Sequence, residues 1–268
     1  MPNIQGTLLV SDLDGTLLTP DKQAHPRDLE AVRRFREAGG AFTIATGRSI
    51  PSALPYVERF EVTLPVILHN GAMLYDYTAK RVLWSTTLPE TAREYVRKIM
   101  EACPYAGTEL LVADDILVPR FSPEVEKHLF VEEIGHTACP LEEASDSWVK
   151  VLFAMEPSLA DELERYVESQ DFPGVRFVRS DDKYYEMLPL DADKGQALTH
   201  LKEAAPGTYT RVAAIGDYNN DLGMLEAADI AFAPETAIEA VRNIARHIVC
   251  SNSEGAVADA ISRLLDKA

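Results

Sequence analysis

At 268 residues, with 46% hydrophobic and 26% charged content, the chain has the apolar material for one large folded domain or two modest ones. Its 43 acidic and 26 basic side chains leave a formal charge of -17, which repels nucleic-acid phosphates and anionic membrane faces, so neither is an expected partner. A small anionic ligand is not excluded by that balance, because the field inside a site is set by a few local cations.

The first residues, MPNIQGTLLVSDLDG, have neither the basic start nor the long apolar stretch of a secretory leader. No window approaches the ~20 apolar residues of a membrane span, and the expected location is the cytoplasm. Thr7 to Ser11 is a short apolar, β-rich run that stops on acidic residues. A Gly-Thr turn follows, then a helical pattern from about Arg27 to Ala38 closed by Gly39-Gly40. Ala41 to Ala45 is a second apolar run, ending at Thr46-Gly47-Arg48. Pro65 to Leu68 is a third, ending at His69-Asn70-Gly71. Near the other end, Arg211 to Ile215 stops at Gly216-Asp217, a helix covers Asp221 to Ala228, and Ile230 to Ala233 is another strand. Strands that are apolar throughout and end in polar loops, alternating with helices, imply an α/β fold: a Rossmann-like three-layer domain with a parallel sheet.

Between residues 84 and 187 the pattern changes. A helix near Glu90 to Ala102, a strand near Val149 to Met155, a helix near Leu159 to Ser169 and a strand near Val175 to Arg179 read as an inserted α+β domain, after which the βα alternation resumes. The expected division is therefore 1–83 with 188–268 as the core, and 84–187 as the insertion. Cys103, Cys139 and Cys250 have no metal-ligand or disulfide-framework spacing and read as incidental thiols.

In open α/β sheets ligands bind beyond the carboxyl ends of the strands, so the residues just after the apolar runs should converge. They are Asp12 and Asp14, Thr46, Asn70, then Asp217, Asn220 and Asp221. Lys194, which opens a helix after the insertion, adds an ammonium. Carboxylates crowded in one pocket repel, and a hard divalent ion with oxygen ligands, Mg²⁺ above all, relieves the repulsion. Such an ion also lets a carboxylate approach an anionic phosphoryl group. The Thr46 hydroxyl, the backbone N–H groups of Thr46-Gly47 and the Lys194 ammonium are then expected to hold phosphate oxygens. If strand character continued past Asp12, Asp12 and Asp14 would share a face, and the nearby negative charge would raise one pKa, letting Asp14 hold a proton that Asp12 has given up.

These segments together resemble the haloacid dehalogenase superfamily of phosphatases, in its Cof-type branch. Asp12-Leu13-Asp14-Gly15-Thr16 is similar to the family's first motif, Ala45-Thr46-Gly47-Arg48 to the second, Lys194-Gly195 to the third and Gly216-Asp217-Tyr218-Asn219-Asn220-Asp221 to the fourth. Asn70-Gly71-Ala72 and the stretch from Glu254 to Leu265 also match that branch. The resemblance implies a C2-type α+β cap and hydrolysis of small phosphate monoesters: sugar phosphates, nucleotides or phosphorylated cofactors. It makes Asp12 the nucleophile and Asp14 the acid and base. Mg²⁺ would be held by Asp12, the Asp14 carbonyl and Asp217, with Asn220 and Asp221 in support.

Some assignments stay open on sequence alone. Arg48 either meets phosphate or pairs with a carboxylate, Asn70 either touches substrate or shapes a turn, and His69 is better read as a hydrogen-bonded structural histidine than a catalytic one. Asp182, Lys183, Tyr184 and Tyr185 are candidate selectivity residues of the insertion. A phosphate-accepting receiver, a phosphomutase and a catalytically idle binding module are the rival functions. The expected assembly is a monomer or a homodimer.

Overall fold

Five consecutive buried residues, Thr7–Ser11, form the first strand (β1), an inner strand of a five-stranded parallel sheet. In the computed structural model, which describes residues 4–112, 115–132 and 135–266, the chain divides into two compact units. One contains residues 1–48, 53–84 and 193–268; the other contains 49–52 and 85–192. The return to the first unit therefore falls at Asp193. The expected boundary at 188 lies inside a strand, Tyr184–Pro189, that belongs wholly to the second unit.

In the first unit, β1 is followed by α1 (Pro26–Glu37), β2 (Ala41–Ile44), α2 (Ile50–Arg59) and the strands β3 (Val66–Leu68), β4 (Met73–Asp76) and β5 (Arg81–Ser85). The second unit adds α3 (Ala92–Ala102), β6 (Gly107–Leu111), β7 (Ile116–Arg120), α4 (Pro123–Glu132), β8 (His136–Ala138), β9 (Lys150–Ala154), α5 (Pro157–Glu168), β10 (Val175–Asp181) and β11 (Tyr184–Pro189). The first unit resumes with α6 (Lys194–Ala204), β12 (Arg211–Ile215), α7 (Leu222–Ala227), β13 (Ile230–Pro234), α8 (Glu239–Ile244), β14 (His247–Val249) and α9 (Ala256–Asp266).

The parallel sheet has the order β14-β13-β12-β1-β2. Alternate residues of a strand face opposite sides. On one side, Leu8, Val10, Val212, Ala214, Ala231 and Ala233 pack with Ala197, Leu198, Leu201, Met224, Leu225 and Val241 of α6, α7 and α8. Leu9, Ala213, Ile215 and Phe232 alternate with them and are equally buried, while α1 and α9 pack on each other. The apolar runs are continuous because both faces of the sheet are covered.

The third run departs from expectation. β3 meets the parallel sheet only through an isolated parallel bridge, Ala45 to Ile67, and its regular pairing is antiparallel to β4 in a sheet of order β3-β4-β5. Sequence identified the strand and its parallel direction but not its antiparallel partner.

The second unit is a sheet of order β10-β11-β9-β6-β7-β8, with Leu110, Val151, Phe153, Tyr185 and Met187 in one core with Val96, Ile99 and Leu163 of α3 and α5. Tyr185 thus belongs to the core, stacked on Phe177 at 5.7 Å, and is withdrawn as a selectivity residue. Tyr184 lies edge-on to His128, and Lys183 lies over the Tyr184 ring. A buried ion pair, Lys150 with Glu186, and a hydrogen bond between His128 Nδ1 and the Glu109 carboxylate lie within this unit. No helix among the described residues is long and apolar enough to cross a membrane.

Candidate active site

Asp12 follows directly on β1, and its N–H donates to the Ile215 carbonyl at 2.9 Å, which ties it to the end of β12. Strand character stops there. The N–H groups of Leu17 and Leu18 both return to the Leu13 carbonyl, at 3.0 and 2.9 Å, and Gly15 adopts φ +87. A Cβ on Gly15 would lie 2.4 Å from Asp217 Oδ2, so this position needs glycine for both its backbone angle and its clearance. The turn then places the Thr16 hydroxyl 2.6 Å from Asp217 Oδ1, to which it donates.

Lys194 is the first residue of α6. Asp193 caps that helix, its Oδ1 accepting from Gly195 N at 2.8 Å and Gln196 N at 3.3 Å. A Cβ on Gly195 would come within 2.3 Å of the Gly223 carbonyl, so small residues let α6 and α7 cross closely enough to seat Lys194. The Lys194 side chain is completely buried, with Nζ 2.6 Å from Asp12 Oδ1 and 2.6 Å from Asp221 Oδ1. Asp221 is fully engaged, since its Oδ2 also accepts from the N–H groups of Asp217 and Tyr218, at 2.8 and 3.1 Å.

Asp12, Asp217 and Asp221 each offer a carboxylate oxygen within 4.8 Å of the others. Burial, reinforced by the Asp221 charge, raises the Asp12 carboxyl well above the usual range, with Lys194 acting in the other direction. The same two causes push Asp217 up to about 7. On Lys194, burial works to lower the pKa, but Asp12 and Asp221 outweigh it and the ammonium is held above its ordinary value. Three carboxylates and one ammonium leave two negative charges when all are ionised, the charge a divalent cation neutralises. Among the described residues no hydrogen bond takes up Asp12 Oδ2 or Asp217 Oδ2. The buried Asn220 Oδ1 likewise has no hydrogen-bond partner. This oxygen-rich, anionic donor set fits a hard divalent ion.

Asp14 does not join that group. Its Oδ1 accepts from Lys22 Nζ at 2.7 Å and Arg48 Nη2 at 2.9 Å, and its Oδ2 from Arg48 Nε at 2.7 Å. Burial would raise its pKa, but Arg48 and Lys22 outweigh burial and hold the carboxyl well below the usual range. The expected pattern is thus reversed: Asp12 is the raised carboxyl and Asp14 the ionised one. The reason is that the chain turns after Asp12, so the two side chains share no strand face. The two cations occupy the Asp14 side chain and leave its backbone carbonyl, the group expected to meet the metal, untouched by them. The alternatives for Arg48 resolve towards a carboxylate, namely that of Asp14.

Thr46 is buried at the end of β2, but its N–H donates to the Ile67 carbonyl at 2.8 Å and is not available to phosphate, which corrects half of the expected Thr46-Gly47 cradle. Its Oγ1 accepts from Arg48 N at 3.2 Å. A Cβ on Gly47 would lie 2.9 Å from Asn70 Oδ1, so Gly47 borders Asn70 closely. Asn70 and His69 both have positive φ, 55 and 50, in a turn whose N–H groups bind the Thr46 and Arg48 carbonyls. Asn70 Oδ1 accepts from Asn220 Nδ2 at 2.9 Å, joining the turn after β3 to the fourth motif. Thr16, Lys22, Tyr56 and Asp193 were missed as site residues. Thr16 stood inside a recognised motif; nothing local to Lys22 or Tyr56 marks them.

A crowded, buried carboxylate group with one lysine, set at the ends of parallel strands, fits a hydrolase site on an α/β fold with room for a metal ion. The family model described as haloacid dehalogenase-like hydrolase matches residues 9–261, and the chain belongs to that family. Within it the chain is a Cof-type phosphatase, a phosphoric monoester hydrolase acting on small phosphorylated metabolites. It is 28% identical to a pyridoxal phosphate phosphatase of Escherichia coli, over 95% of this chain and 97% of the relative. It is also 28% identical to a 5-amino-6-(5-phospho-D-ribitylamino)uracil phosphatase of Bacillus subtilis, over 95% and 96%. Among solved structures, a haloacid dehalogenase-like hydrolase from Bacteroides thetaiotaomicron superposes with a TM-score of 0.81 at 26% identity, covering 96% of this chain and 99% of that one.

Proposed function

We propose that the chain hydrolyses its phosphate ester through an aspartyl-phosphate on Asp12, with Mg²⁺ as cofactor. The observation that carries this reading is the Lys194 ammonium bridging Asp12 and Asp221 while Asp12 Oδ2 stays clear of hydrogen bonds. Lys194 orients Asp12 through Oδ1, so Oδ2 attacks phosphorus as the bond to the leaving oxygen breaks. Asp14, ionised beside Arg48 and Lys22, takes up one proton from solvent before the first turnover, gives it to that oxygen, then takes one from the water that attacks phosphorus and releases Asp12. The proton on Asp14 is conserved over the cycle. Lys194 and the Thr46 hydroxyl offset charge on the phosphoryl oxygens in the transition state. Asp12 and Asp217 would hold Mg²⁺, with Asn220 and Asp221 in support; when bound, the ion offsets the charge of nucleophile and phosphoryl group. Asn70, Gly47 and Arg48 keep their proposed places on the substrate side, Arg48 through its hold on Asp14.

The inserted unit is assigned the selectivity for the leaving group. Two relatives are named for phosphate esters that carry a nitrogen heterocycle. Such esters stand first among the sugar phosphates, nucleotides and phosphorylated cofactors to screen. A cytoplasmic monomer or homodimer completes the proposal.

Purified protein with Mg²⁺ is expected to release phosphate from p-nitrophenyl phosphate, and Asp12→Asn or a chelator is expected to abolish the release. Activity that survives Asp12→Asn would sink the assignment.

A further inference from the structure

The turn that carries Asp14, Gly15 and Thr16 is fastened at its end by a side chain from the other extreme of the chain. Asn252, in a 3-10 turn over Asn252–Glu254 just ahead of α9, is 7% exposed, and its Nδ2 donates to the Leu18 carbonyl at 2.7 Å across 234 residues of sequence. Leu18 is completely buried, and its N–H is one of the two that return to the Leu13 carbonyl, so the Asn252 amide pins the far end of that turn. A buried carbonyl that loses its donor carries the desolvation cost of an unmet group. Two more bonds fasten the same C-terminal segment, but to α1 and not to the turn. Arg27 Nη1 donates to the Glu254 carbonyl, and Ala258 N–H donates to Asp28 Oδ1 at 2.7 Å. Gly255, at φ +91, permits the close approach, since a Cβ there would lie 3.2 Å from Arg27 Cβ.

We propose that Asn252 is a positioning residue for phosphoryl transfer, acting through Leu18. With the Leu18 carbonyl held by Asn252 and its N–H by Leu13, Gly15 is kept at φ +87 and the Thr16 hydroxyl at 2.6 Å from Asp217 Oδ1, which sets the whole turn against the residues that follow β12. Phosphoryl transfer depends on position, and a displacement of about 1 Å costs up to ~10²-fold in rate. Removing one fastening while Asp12 N–H still meets the Ile215 carbonyl and Thr16 still meets Asp217 should cost less, about tenfold. The C-terminal segment thereby takes part in the reaction from outside the site. The inference rests on the reading of the Asp12 to Thr16 segment as the reacting centre.

The test measures kcat and KM for p-nitrophenyl phosphate in Asn252→Asp, Asn252→Ala and Arg27→Met, each below its own urea and thermal transitions. Asn252→Asp keeps the size of the side chain and turns the donor into an acceptor facing a carbonyl, Asn252→Ala removes the donor outright, and Arg27→Met cuts a bond of the same segment to α1 alone. In both Asn252 variants kcat should fall about tenfold with KM changed less than about twofold, while Arg27→Met should stay within about twofold of the parent in kcat. Thr16→Val, which cuts another fastening of the same turn, should lower kcat by a smaller factor in the Asn252→Ala background than in the parent, because neighbours that hold one element are not additive. An unchanged kcat in the Asn252 variants, an equal fall in Arg27→Met, or full additivity with Thr16→Val overturns the positioning role and leaves a tie for stability only. Asp12→Asn, measured alongside, separates the two levels. If activity survives it, the reading of the segment fails and the positioning role with it; if it abolishes activity while the Asn252 variants match Arg27→Met, only the positioning role fails.

Discussion

Replacing Lys194 by Met isolates the charge balance on which the site depends. The lysine side chain is 0% exposed and its Nζ lies 2.6 Å from a carboxylate oxygen of both Asp12 and Asp221. Met keeps most of the volume and removes the charge, leaving three neighbouring carboxylates without their one buried cation. Taking one partner from a buried pair costs about 3–5 kcal/mol, because the remaining charge stays buried and uncompensated. That is a large share of the ~5–15 kcal/mol by which a folded domain is stable. The penalty should depend on pH with a definite sign. Burial and Asp221 already raise Asp12, and hold Asp217 at about 7 against an ordinary 3.8. A carboxyl raised in the folded state contributes stability below its unfolded value and loses that contribution as pH rises through its folded value. Without Lys194 both carboxyls rise further, so the variant should be close to the parent at about pH 5, where protons replace the missing cation, and carry the full penalty at about pH 8. Mg²⁺ should narrow the gap at the higher pH, since a ligand at about 100 times its Kd adds ~2.7 kcal/mol to whatever state binds it, and three unpaired carboxylates bind it more strongly. Urea unfolding can be followed by Trp84, which stacks on His200 of α6 at 4.3 Å, in a Trp148→Phe background with and without chelator. A loss below about 1 kcal/mol in chelator at the higher pH, or equal losses at the two pH values, refutes the reasoning. Turnover by the variant should fall about a thousandfold.

Two further outcomes follow from residues around this group. Asp28 of α1 is buried, accepts from Ala258 N of α9 at 2.7 Å, and has its Oδ2 without a hydrogen bond; burial pushes its carboxyl up to about 7 against the opposing effects of Ala258 and Arg27. Asp28→Asn removes the need to ionise there, so it should stabilise the protein by up to about 4 kcal/mol at about pH 8 and by little at about pH 4, read by urea midpoints at both; a gain that does not grow with pH contradicts the burial argument. Thr16→Val deletes the 2.6 Å hydrogen bond to Asp217 Oδ1, and should weaken Mg²⁺ affinity about 10- to 100-fold by calorimetry, with unchanged affinity counting against a ligand role for Asp217.

The strand ends were legible because each carries its own local signal: an unbroken apolar run buried on both faces must stop where polar residues begin. That logic located Thr7–Ser11, Ala41–Ile44, Arg211–Ile215 and the residues that follow them. It did not give the second pairing of Val66–Leu68, which besides a parallel bridge at Ala45 runs antiparallel to Met73–Asp76 through a left-handed turn at His69 and Asn70 that apolar content does not encode. Within the second unit, sequence offered no element over Tyr184–Pro189, where a charged residue, Glu186, is buried among apolar ones and finds its partner in Lys150 of another strand.

Sequence by itself determined which groups meet. Asp12, Lys194, Asp217 and Asp221 are chemically distinctive residues at predictable ends of predictable elements, and parallel topology brings such ends together. Only the tertiary structure decided what state each group is in. A pKa reflects burial and every charge within a few ångströms, and those charges come from distant segments: Arg48 and Lys22 ionise Asp14, while Asp221 and burial raise Asp12. Two aspartates one residue apart therefore carry opposite electrostatics, because the chain turns at Gly15 and delivers them to different neighbours.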